Sequence, residues 1–415
     1  MKTGDTKFIN LTSRAIIHDI SDDGSFLDED WENLYNLAYQ SNLVAITYDV
    51  AKAQSSLPED LRKKWDFVRF QTFVRQKKHF HALIDLIRAI EAEDIDYAIF
   101  KGIVVADTYP NSAYRASADS DILVDEKDAP RVCQMIEERG YVLNEHKTKA
   151  KVFVYQNEET NHMIELHTSV YEDFEGKKIE MLRAAELEAP SKRIYVDIDG
   201  ERVRTLGHNE HLVYQMFHII KHFMLEGAKI RFFTDITLFV NRYYDELSKE
   251  YFWDMMDKLN YGYFCENFMT ICVEYFGMKP EFLAGRKAKA SKEVLEAMIV
   301  DFIYKGDESQ LRSENWQLTA TLEPYLTGEI TSVNSSKSGR IIRFIFPKSN
   351  ELGERYTYAK KYPVLLPIAW IHRFGYKIIW QLFERQEEQY TAMEKMEVVE
   401  NRLGLMSSVG LLDEE

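Results

Sequence analysis

The sequence predicts an α+β fold in which a mixed sheet with helices packed on it is embedded in a mainly helical frame. Between residues 95 and 207, short apolar runs alternate with amphipathic segments, which is the pattern of mixed strands and helices. On both sides of that region, apolar residues recur at helical spacing over long stretches. We divide the 415 residues into five segments. They are an N-terminal helical module (1–94), an α/β core (95–207), a helical domain (208–305), a polar loop (306–339) and a basic aromatic C-terminal module (340–415).

The N-terminal module is predicted to end in one long helix. Residues 1 to about 25 show no clear period, and we expect them to be irregular. Helical spacing begins near Asp28 and is interrupted by the polar stretch 55–60, where Pro58 marks the start of the next helix. That helix is predicted to run from about Glu59 to Ala92. Its apolar stripe comprises Trp65, Val68, Phe73, Phe80, Leu83, Leu86, Ile87 and Ile90.

The core is predicted as a series of short strands and helices that ends in a hairpin. Asp199-Gly200 is a favoured type I′ turn pair, and alternating apolar residues flank it on both sides. The predicted strands are 97–101, 120–124, 141–145, 151–156, 161–167, 194–198 and 203–206. The predicted helices are 103–109 and 128–139.

The C-terminal third differs from the rest of the chain in composition. Residues 305–338 are polar and turn-rich, and we expect a mobile loop there. Residues 340–385 hold nine Lys and Arg against three Glu, a local balance of +6, with aromatic residues between the charges. This module is a candidate for weak contact with an anionic glycan or a membrane surface.

Composition excludes some functions and indicates a compartment. The formal net charge of −16 argues against general nucleic-acid binding over the whole surface. The three cysteines lack metal-ligand spacing and fit a reducing environment. The N-terminus lacks the apolar segment of a signal peptide, and no apolar run is long enough to span a bilayer. We therefore expect a cytoplasmic protein.

The strongest candidate site is a pair of acids at the entry of a predicted strand. Asp119 and Asp121 are two residues apart, so on a strand their side chains project from the same face. Two carboxylates about 5 Å apart repel each other by roughly 3 kcal/mol at an effective dielectric constant near 20. A cation between them removes that repulsion, and carboxylate ligands suit Mg²⁺, with Mn²⁺ as an alternative.

A third acid and two flanking motifs give this region a family resemblance. Residues 161–167 alternate as a strand that places Glu165 and His167 on one face. Phe100-Lys101-Gly102, Arg115 four residues before Asp119-x-Asp121-Ile122-Leu123-Val124, and Glu165-Leu166-His167 together resemble an uncharacterised bacterial nucleotidyltransferase family. That family belongs to the superfamily that includes polymerase β and is often found near surface-polysaccharide and peptide-modification genes.

The resemblance implies a polymerase-β-like core and a magnesium-dependent transferase. Its substrates would be a nucleoside triphosphate such as ATP and a hydroxyl of a small molecule, sugar or protein, with pyrophosphate as product. Asp119, Asp121 and Glu165 would be the catalytic metal ligands. Lys101, Gly102 and Arg115 would bind the nucleotide. Many members of the superfamily have Gly-Ser at the turn after the first strand, whereas Ile103 follows Gly102 here, so a hydroxyl contact to phosphate is missing.

Several neighbouring residues keep two interpretations each. Arg115 fits either a phosphate or an ion pair with Asp119 or Asp121, and His167 fits either the metal or acceptor or a structural hydrogen bond. His218 and His222 stand four apart on a predicted helix, where packing or substrate contact competes with metal chelation. Arg231 and Asp235 are helical neighbours that usually form only an ion pair. The resemblance adds a third interpretation, as residues lining the cleft: His167, His218, His222, Arg231 and Asp235.

Two other functions compete with the transferase. A non-catalytic scaffold would keep the fold and bind a nucleotide or partner, and the missing hydroxyl after Gly102 favours it. A peripheral module would instead act through the basic aromatic segment 340–385, with the core as a regulator. Nucleotide binding separates the transferase and the scaffold from the peripheral module. Pyrophosphate release then separates the transferase from the scaffold.

Overall fold

The computed structural model describes residues 1–27, 30–171, 174–304, 316–328, 349, 356–372 and 392–412. Most of the described chain is helical, as predicted for the frame. The helices are α1 (Thr3–Ile16), α2 (Trp31–Gln40), α3 (Val44–Ala53), α4 (Glu59–Ala92), α5 (Gly102–Ala106), α6 (Ala129–Glu137), α7 (Lys177–Ala184), α8 (His208–Lys221), α9 (Arg231–Arg242), α10 (Lys249–Lys258), α11 (Gly262–Phe276), α12 (Lys292–Tyr304), α13 (Trp316–Thr327), α14 (Thr357–Lys361) and α15 (Ala392–Ser408). A π-helical turn, His222–Glu226, continues α8.

One mixed sheet forms the core. Its strands are β1 (Tyr97–Phe100), β2 (Asp119–Val124), β3 (Val142–Leu143), β4 (Val152–Asn157), β5 (His162–His167), β6 (Ile194–Ile198) and β7 (Glu201–Thr205). Their order across the sheet is β3-β4-β5-β2-β1-β7-β6. Strand β2 lies at the centre, antiparallel to β1 and parallel to β5. The predicted α+β architecture is therefore confirmed, including all seven strands.

The two faces of the sheet meet different helices. Ile122 and Val124 of β2 pack with the second half of α4 and with α6 in one hydrophobic cluster. Leu123, one residue from each of them, belongs to a larger cluster shared with the helical frame. Because side chains alternate along a strand, the acids of β2 fall on the face toward that frame.

The long helix α4 joins the N-terminal module to the core, and its bounds agree with the prediction. The expectation of an irregular N-terminus was wrong, because residues 3–16 form α1. Phe8, Leu11 and Ala15 are buried on one face of α1 at helical spacing, and they pack into the frame. The helical spacing of these apolar residues was present in the sequence.

The polar-loop prediction for 306–339 does not hold at α13. Leu322, Tyr325 and Leu326 of α13 are buried, so tertiary packing stabilises a helix within a polar stretch. The rest of that loop lies outside the described residues. In the basic module, Lys360 and Lys361 are described and exposed, whereas its other seven basic residues between 340 and 385 lie outside. No helix among the described residues is both long and apolar enough to cross a membrane.

Candidate active site

A cleft of about 460 Å³ opens on the face of the sheet that carries the acids. Side chains of β2, β4 and β5 form one wall, and residues of α8, the π-helical turn and α9 form the other. Every site residue predicted from the sequence lines this cleft except His167, which lies beneath it in contact with Asp121. The lining acids are Asp119, Asp121, Glu165 and Asp235, and the lining cations are Lys101, Arg115, Lys147, Lys149, Lys221, Lys229 and Arg231.

Strand register brings the acids together. In the parallel pair of β2 and β5, Asp121 lies directly opposite Glu165, and paired residues project from the same face. His167, two residues beyond Glu165, points the same way, and its Nε2 lies 2.9 Å from Asp121 Oδ1 and 3.5 Å from Glu165 Oε2. The aromatic ring of Phe100 packs edge-on against the imidazole. Two segments more than 40 residues apart are thus joined at one point.

Lys101 places a positive charge on this group. It follows β1 with φ 56° and ψ −124°, a rare conformation for a residue with a side chain, and such strain costs about 1–3 kcal/mol. Its backbone N–H donates to His211 Nε2 at 3.0 Å, which holds the turn. Its Nζ then donates to Asp121 Oδ1 at 2.6 Å and lies 3.9 Å from Glu165 Oε2.

The electrostatics of the group follow from burial and from these contacts. Burial raises the pKa of Asp121, and the nearby Lys101 and His167 oppose that rise only in part. Burial also acts to raise the pKa of Glu165, but the hydrogen bond from His167 and the charge of Lys101 outweigh it and lower that pKa to about 2. Glu165 is therefore ionised at neutral pH.

The donor atoms fit a divalent cation. Ligand atoms of Asp121, Glu165 and His167 all lie within 4.8 Å of one another. Two carboxylates with one imidazole suit Mn²⁺ or Zn²⁺, whereas Mg²⁺ would use the carboxylates alone. Asp119 is not in that group, although it lines the same cleft; its Oδ1 accepts a 2.6 Å hydrogen bond from Ser117. His167 thus makes a hydrogen bond to Asp121 and also lies within the possible cation site, so both interpretations that the sequence left open for it remain.

Arg115 pairs with neither of the acids expected from the sequence. Its Nε donates to Asp235 Oδ1 and its Nη2 to Asp235 Oδ2, both at 2.9 Å, and both residues are buried. Tyr109 also donates to Asp235 at 2.6 Å. Burial acts to lower the pKa of Arg115, but Asp235 outweighs it and raises that pKa. The remaining nitrogen, Nη1, has no hydrogen-bond partner within the described part of the chain, a state that usually costs about 1–3 kcal/mol.

Gly102 and Ser117 complete this side of the cleft. A Cβ atom added to Gly102 would lie 2.9 Å from Arg115 Nη1 and 3.2 Å from Ser117 Oγ. Only glycine therefore lets both polar groups approach the turn after β1. The backbone oxygen of Ser117 accepts from Gln76 of α4 at 2.7 Å, which fixes the segment. Sequence analysis missed Ser117, because its proximity to Gly102 arises only in three dimensions.

Aromatic and histidine rings line the opposite wall. His218 and His222 lie 4.3 Å apart in an edge-on arrangement, and Phe232 packs against both. Burial, aided by His222 and Lys221, lowers the pKa of His218 well below its usual value, so this ring is neutral.

The predicted Arg231–Asp235 pair is present but loose. Arg231 Nε lies 3.8 Å from Asp235 Oδ2. The guanidinium of Arg231 also donates through Nη1 to the backbone oxygen of Ala116. Asp235 is therefore shared between two arginines, and Arg115 holds both of its oxygens.

Comparison with known proteins identifies one family. A sequence profile described as "Uncharacterised nucleotidyltransferase" matches residues 28–277, more than half of the chain. No curated protein matches the chain. Among solved structures, a lincosamide antibiotic adenylyltransferase, LnuA, bound to lincomycin has 15% identity and a TM-score of 0.27, with 38% of this chain and 94% of that one covered. An antigenic nucleotidyltransferase-like protein from Paracoccidioides brasiliensis has 12% identity and a TM-score of 0.28, with 45% and 86% covered.

Proposed function

The chain belongs to the uncharacterised nucleotidyltransferase family, and from this membership we propose that it moves a nucleoside monophosphate from a nucleoside triphosphate to a hydroxyl group. Pyrophosphate is the second product. The acceptor is a small molecule, a sugar or a protein side chain. The reaction requires a divalent cation, Mg²⁺ or Mn²⁺.

One observation carries the proposal: the pairing of Asp121 with Glu165 at the floor of a cleft with basic walls. Phosphoryl-group chemistry depends mainly on positioning and on neutralising negative charge. Here carboxylates able to hold a cation stand beside fixed cationic side chains.

The chain's own residues divide the work. Asp121 and Glu165, with Asp119 beside them, would hold the cation, which when bound draws electron density from the phosphate and lowers the pKa of the acceptor hydroxyl. Arg115 neutralises phosphate charge in an orientation fixed by Asp235. Lys101 donates a hydrogen bond to Asp121 and adds a second positive charge at the floor of the cleft.

Glu165 has the position of a residue that acts in the chemical step. Its side chain is 24% exposed, whereas that of Asp121 is 2% exposed, so Glu165 lies nearer to the open part of the cleft. We assign it to the acceptor side, where it would help to hold a cation that activates the attacking hydroxyl. The rings of His218, His222 and Phe232 lie on the facing wall, where a planar part of the nucleotide or acceptor would pack.

The test has two stages. Calorimetric titration with ATP, GTP, CTP and UTP, with and without Mg²⁺ or Mn²⁺, should show binding of at least one triphosphate that depends on the cation. Pyrophosphate release then measures transfer, or slow hydrolysis when no acceptor is added. Glu165→Gln should retain most of the nucleotide affinity and lose turnover by about two to four orders of magnitude. Full turnover in this variant would contradict the role of Glu165.

A nucleotide-binding scaffold is the second candidate, and one contact favours it. Lys101 Nζ lies 2.6 Å from Asp121 Oδ1, so a fixed ammonium group already balances the buried carboxylate that would bind the cation. A scaffold of this kind would bind nucleotide equally well in the presence of a chelator and would release no pyrophosphate. The same two measurements therefore separate the candidates.

A further inference from the structure

A polar notch at the turn after β1 contains one residue, Ser117, to which the sequence assigns no role. Three groups meet there: the bare Cα of Gly102, Arg115 Nη1 and Ser117 Oγ. Arg115 is 6% exposed and lines the cleft, yet its Nη1 donates to nothing in the described ranges. A buried guanidinium nitrogen without a protein partner is a donor that a water molecule or a ligand in the cleft can satisfy.

The notch is built and held in place by surrounding residues. Asp235 clamps the other two nitrogens of Arg115, so Nη1 cannot turn toward another partner without breaking that pair. Gln76 holds the backbone of Ser117. The Ser117 hydroxyl donates its single proton to Asp119, and rotation about the Cβ–Oγ bond redirects that proton to a phosphate oxygen when Asp119 binds a cation instead.

We propose that Ser117 Oγ and Arg115 Nη1 together bind a phosphate oxygen of the triphosphate, with Ser117 in the role of the hydroxyl that position 103 lacks. This inference rests on the proposed function and deepens it, since it assigns a new substrate contact to Ser117. The hydroxyl comes from the segment before β2, and Gly102 admits it because a side chain there would fill the notch. The missing hydroxyl at position 103, which favoured a non-catalytic scaffold, is thereby replaced by the hydroxyl of Ser117.

The probe is inorganic tripolyphosphate with Mn²⁺, because the proposed contact involves only phosphate oxygens and does not depend on the nucleotide base. Ser117→Ala should weaken tripolyphosphate binding by about 10- to 100-fold, the usual effect of a lost hydrogen bond to a charged group. Ser117→Thr, which keeps the hydroxyl, should stay within a few-fold of wild type. Gly102→Ala should weaken binding at least as much, since its Cβ displaces Arg115 Nη1.

Ser112→Ala is the matched control. Ser112 lies in the same segment, and its hydroxyl donates to a carboxylate of Asp199 at 2.7 Å, much as that of Ser117 donates to Asp119. It is not among the residues that line the cleft, so tripolyphosphate should bind this variant as it binds wild type. Titration with Mn²⁺ alone should be unchanged by Ser117→Ala.

Two results would overturn the assignment. If Ser117→Ala binds tripolyphosphate as wild type does, the hydroxyl makes no phosphate contact. If it loses affinity for Mn²⁺ alone to the same extent, Ser117 acts only by positioning Asp119. Failure of the wild type to bind any nucleoside triphosphate or tripolyphosphate with Mn²⁺ is a different outcome, which would reject the proposed function and the notch with it.

Discussion

At the scale of single residues, Asp121 is the centre of the site. It accepts hydrogen bonds from Lys101 and His167 and lies opposite Glu165 in the sheet. Asp119 is partly exposed and accepts a hydrogen bond from Ser117, so its surroundings are more open than those of Asp121. The two acids of the Asp-x-Asp motif therefore have different surroundings, and their substitutions should differ in effect.

Asp121→Asn should abolish cation-dependent nucleotide binding, with a loss of roughly 100-fold or more, because it removes the most buried carboxylate of the group. Asp119→Asn should weaken binding less. Calorimetric titration of ATP, GTP, CTP and UTP with Mn²⁺ measures both effects. Asp125→Asn, at a partly exposed position just after the same strand, is the control and should match wild type. Unchanged affinity in the Asp121 variant would remove this residue from the site.

Asp235 should affect stability in a pH-dependent manner. Burial acts to raise its pKa, but Arg115 and Arg231 outweigh burial and lower it below the ordinary value of 3.8. A carboxyl group whose folded-state pKa is lowered stabilises the fold above its unfolded pKa, and that contribution is lost as the pH falls through the folded pKa. Asp235→Asn should therefore cost about 3–5 kcal/mol at pH 7, because Arg115 keeps a buried charge without its partner.

Urea denaturation of wild type and Asp235→Asn provides the measurement. The difference in the free energy of unfolding should shrink as the pH is lowered below about 4, because the carboxyl group then takes up a proton in the unfolded wild type, and in the folded protein only at lower pH. Asp254→Asn, which removes an exposed ion pair with Lys258, should change stability by about 0.5 kcal/mol or less at either pH. A loss at Asp235 that does not vary with pH would show that packing, and not charge, stabilises this position.

At the scale of elements, local patterns predicted most of the architecture. The bounds of α4 and the positions of the strands follow from periodicity and turn residues, which act over a few residues. Helix α13 lies in a polar stretch, and only burial of Leu322 and its neighbours against the frame stabilises it. Local sequence does not contain that information.

In the site, too, local patterns predict some features and long-range contacts determine the others. Placement of Asp119, Asp121 and Glu165 on one face needed only strand alternation and a guess at register. The Arg115–Asp235 pair joins residues 120 positions apart, and the approach of Ser117 to Gly102 depends on the turn after β1. No pattern in one sequence predicts which distant side chains meet, so these contacts had to come from the structure.

Helix α4 supports a prediction about how the frame and core are joined. Trp65 is fully buried, and its indole N–H donates to the backbone oxygen of Val44 at 2.9 Å. Trp65→Ala should lower the free energy of unfolding by about 3–5 kcal/mol, because a large cavity opens between α3 and α4. Trp65→Phe, which keeps a ring but loses the donor, should cost less.

Phe67 on the same helix is the control for that series. Its side chain is 61% exposed, so Phe67→Ala should change stability by about 0.5 kcal/mol or less in the same chemical denaturation experiment. Equal losses at positions 65 and 67 would mean that the exposed face of α4 is covered in solution. A small loss at Trp65 would mean that the N-terminal module contributes little to the unfolding transition.

At the scale of the whole molecule, charge is distributed unevenly. The chain carries a net charge of −16, yet seven cations and four carboxylates line the cleft, a local balance of +3. A cleft of one sign in a protein of the other sign concentrates field lines and draws oppositely charged ligands inward. The distribution suits a polyanionic substrate that the rest of the surface would repel.

Lys147 and Lys149, both exposed in the segment between β3 and β4, test whether that field guides the substrate. The double substitution to alanine should slow association of a nucleoside triphosphate several-fold at low ionic strength, as measured by stopped-flow fluorescence, because two charges at the mouth of the cleft are lost. The association rates of variant and wild type should converge near 1 M salt, where the Debye length is only about 3 Å and charges farther apart are screened. Dissociation should change less than association.

Lys258 and Lys292 give the matched control, because each lies in an exposed ion pair and neither lines the cleft. Their double substitution to alanine takes the net charge from −16 to −18, as the cleft variant does, but leaves the local balance at +3. If both double variants slow association equally, the total charge of the protein controls encounter. If only the Lys147/Lys149 variant does so, and only at low salt, the basic lining of the cleft guides the triphosphate toward Asp121 and Glu165.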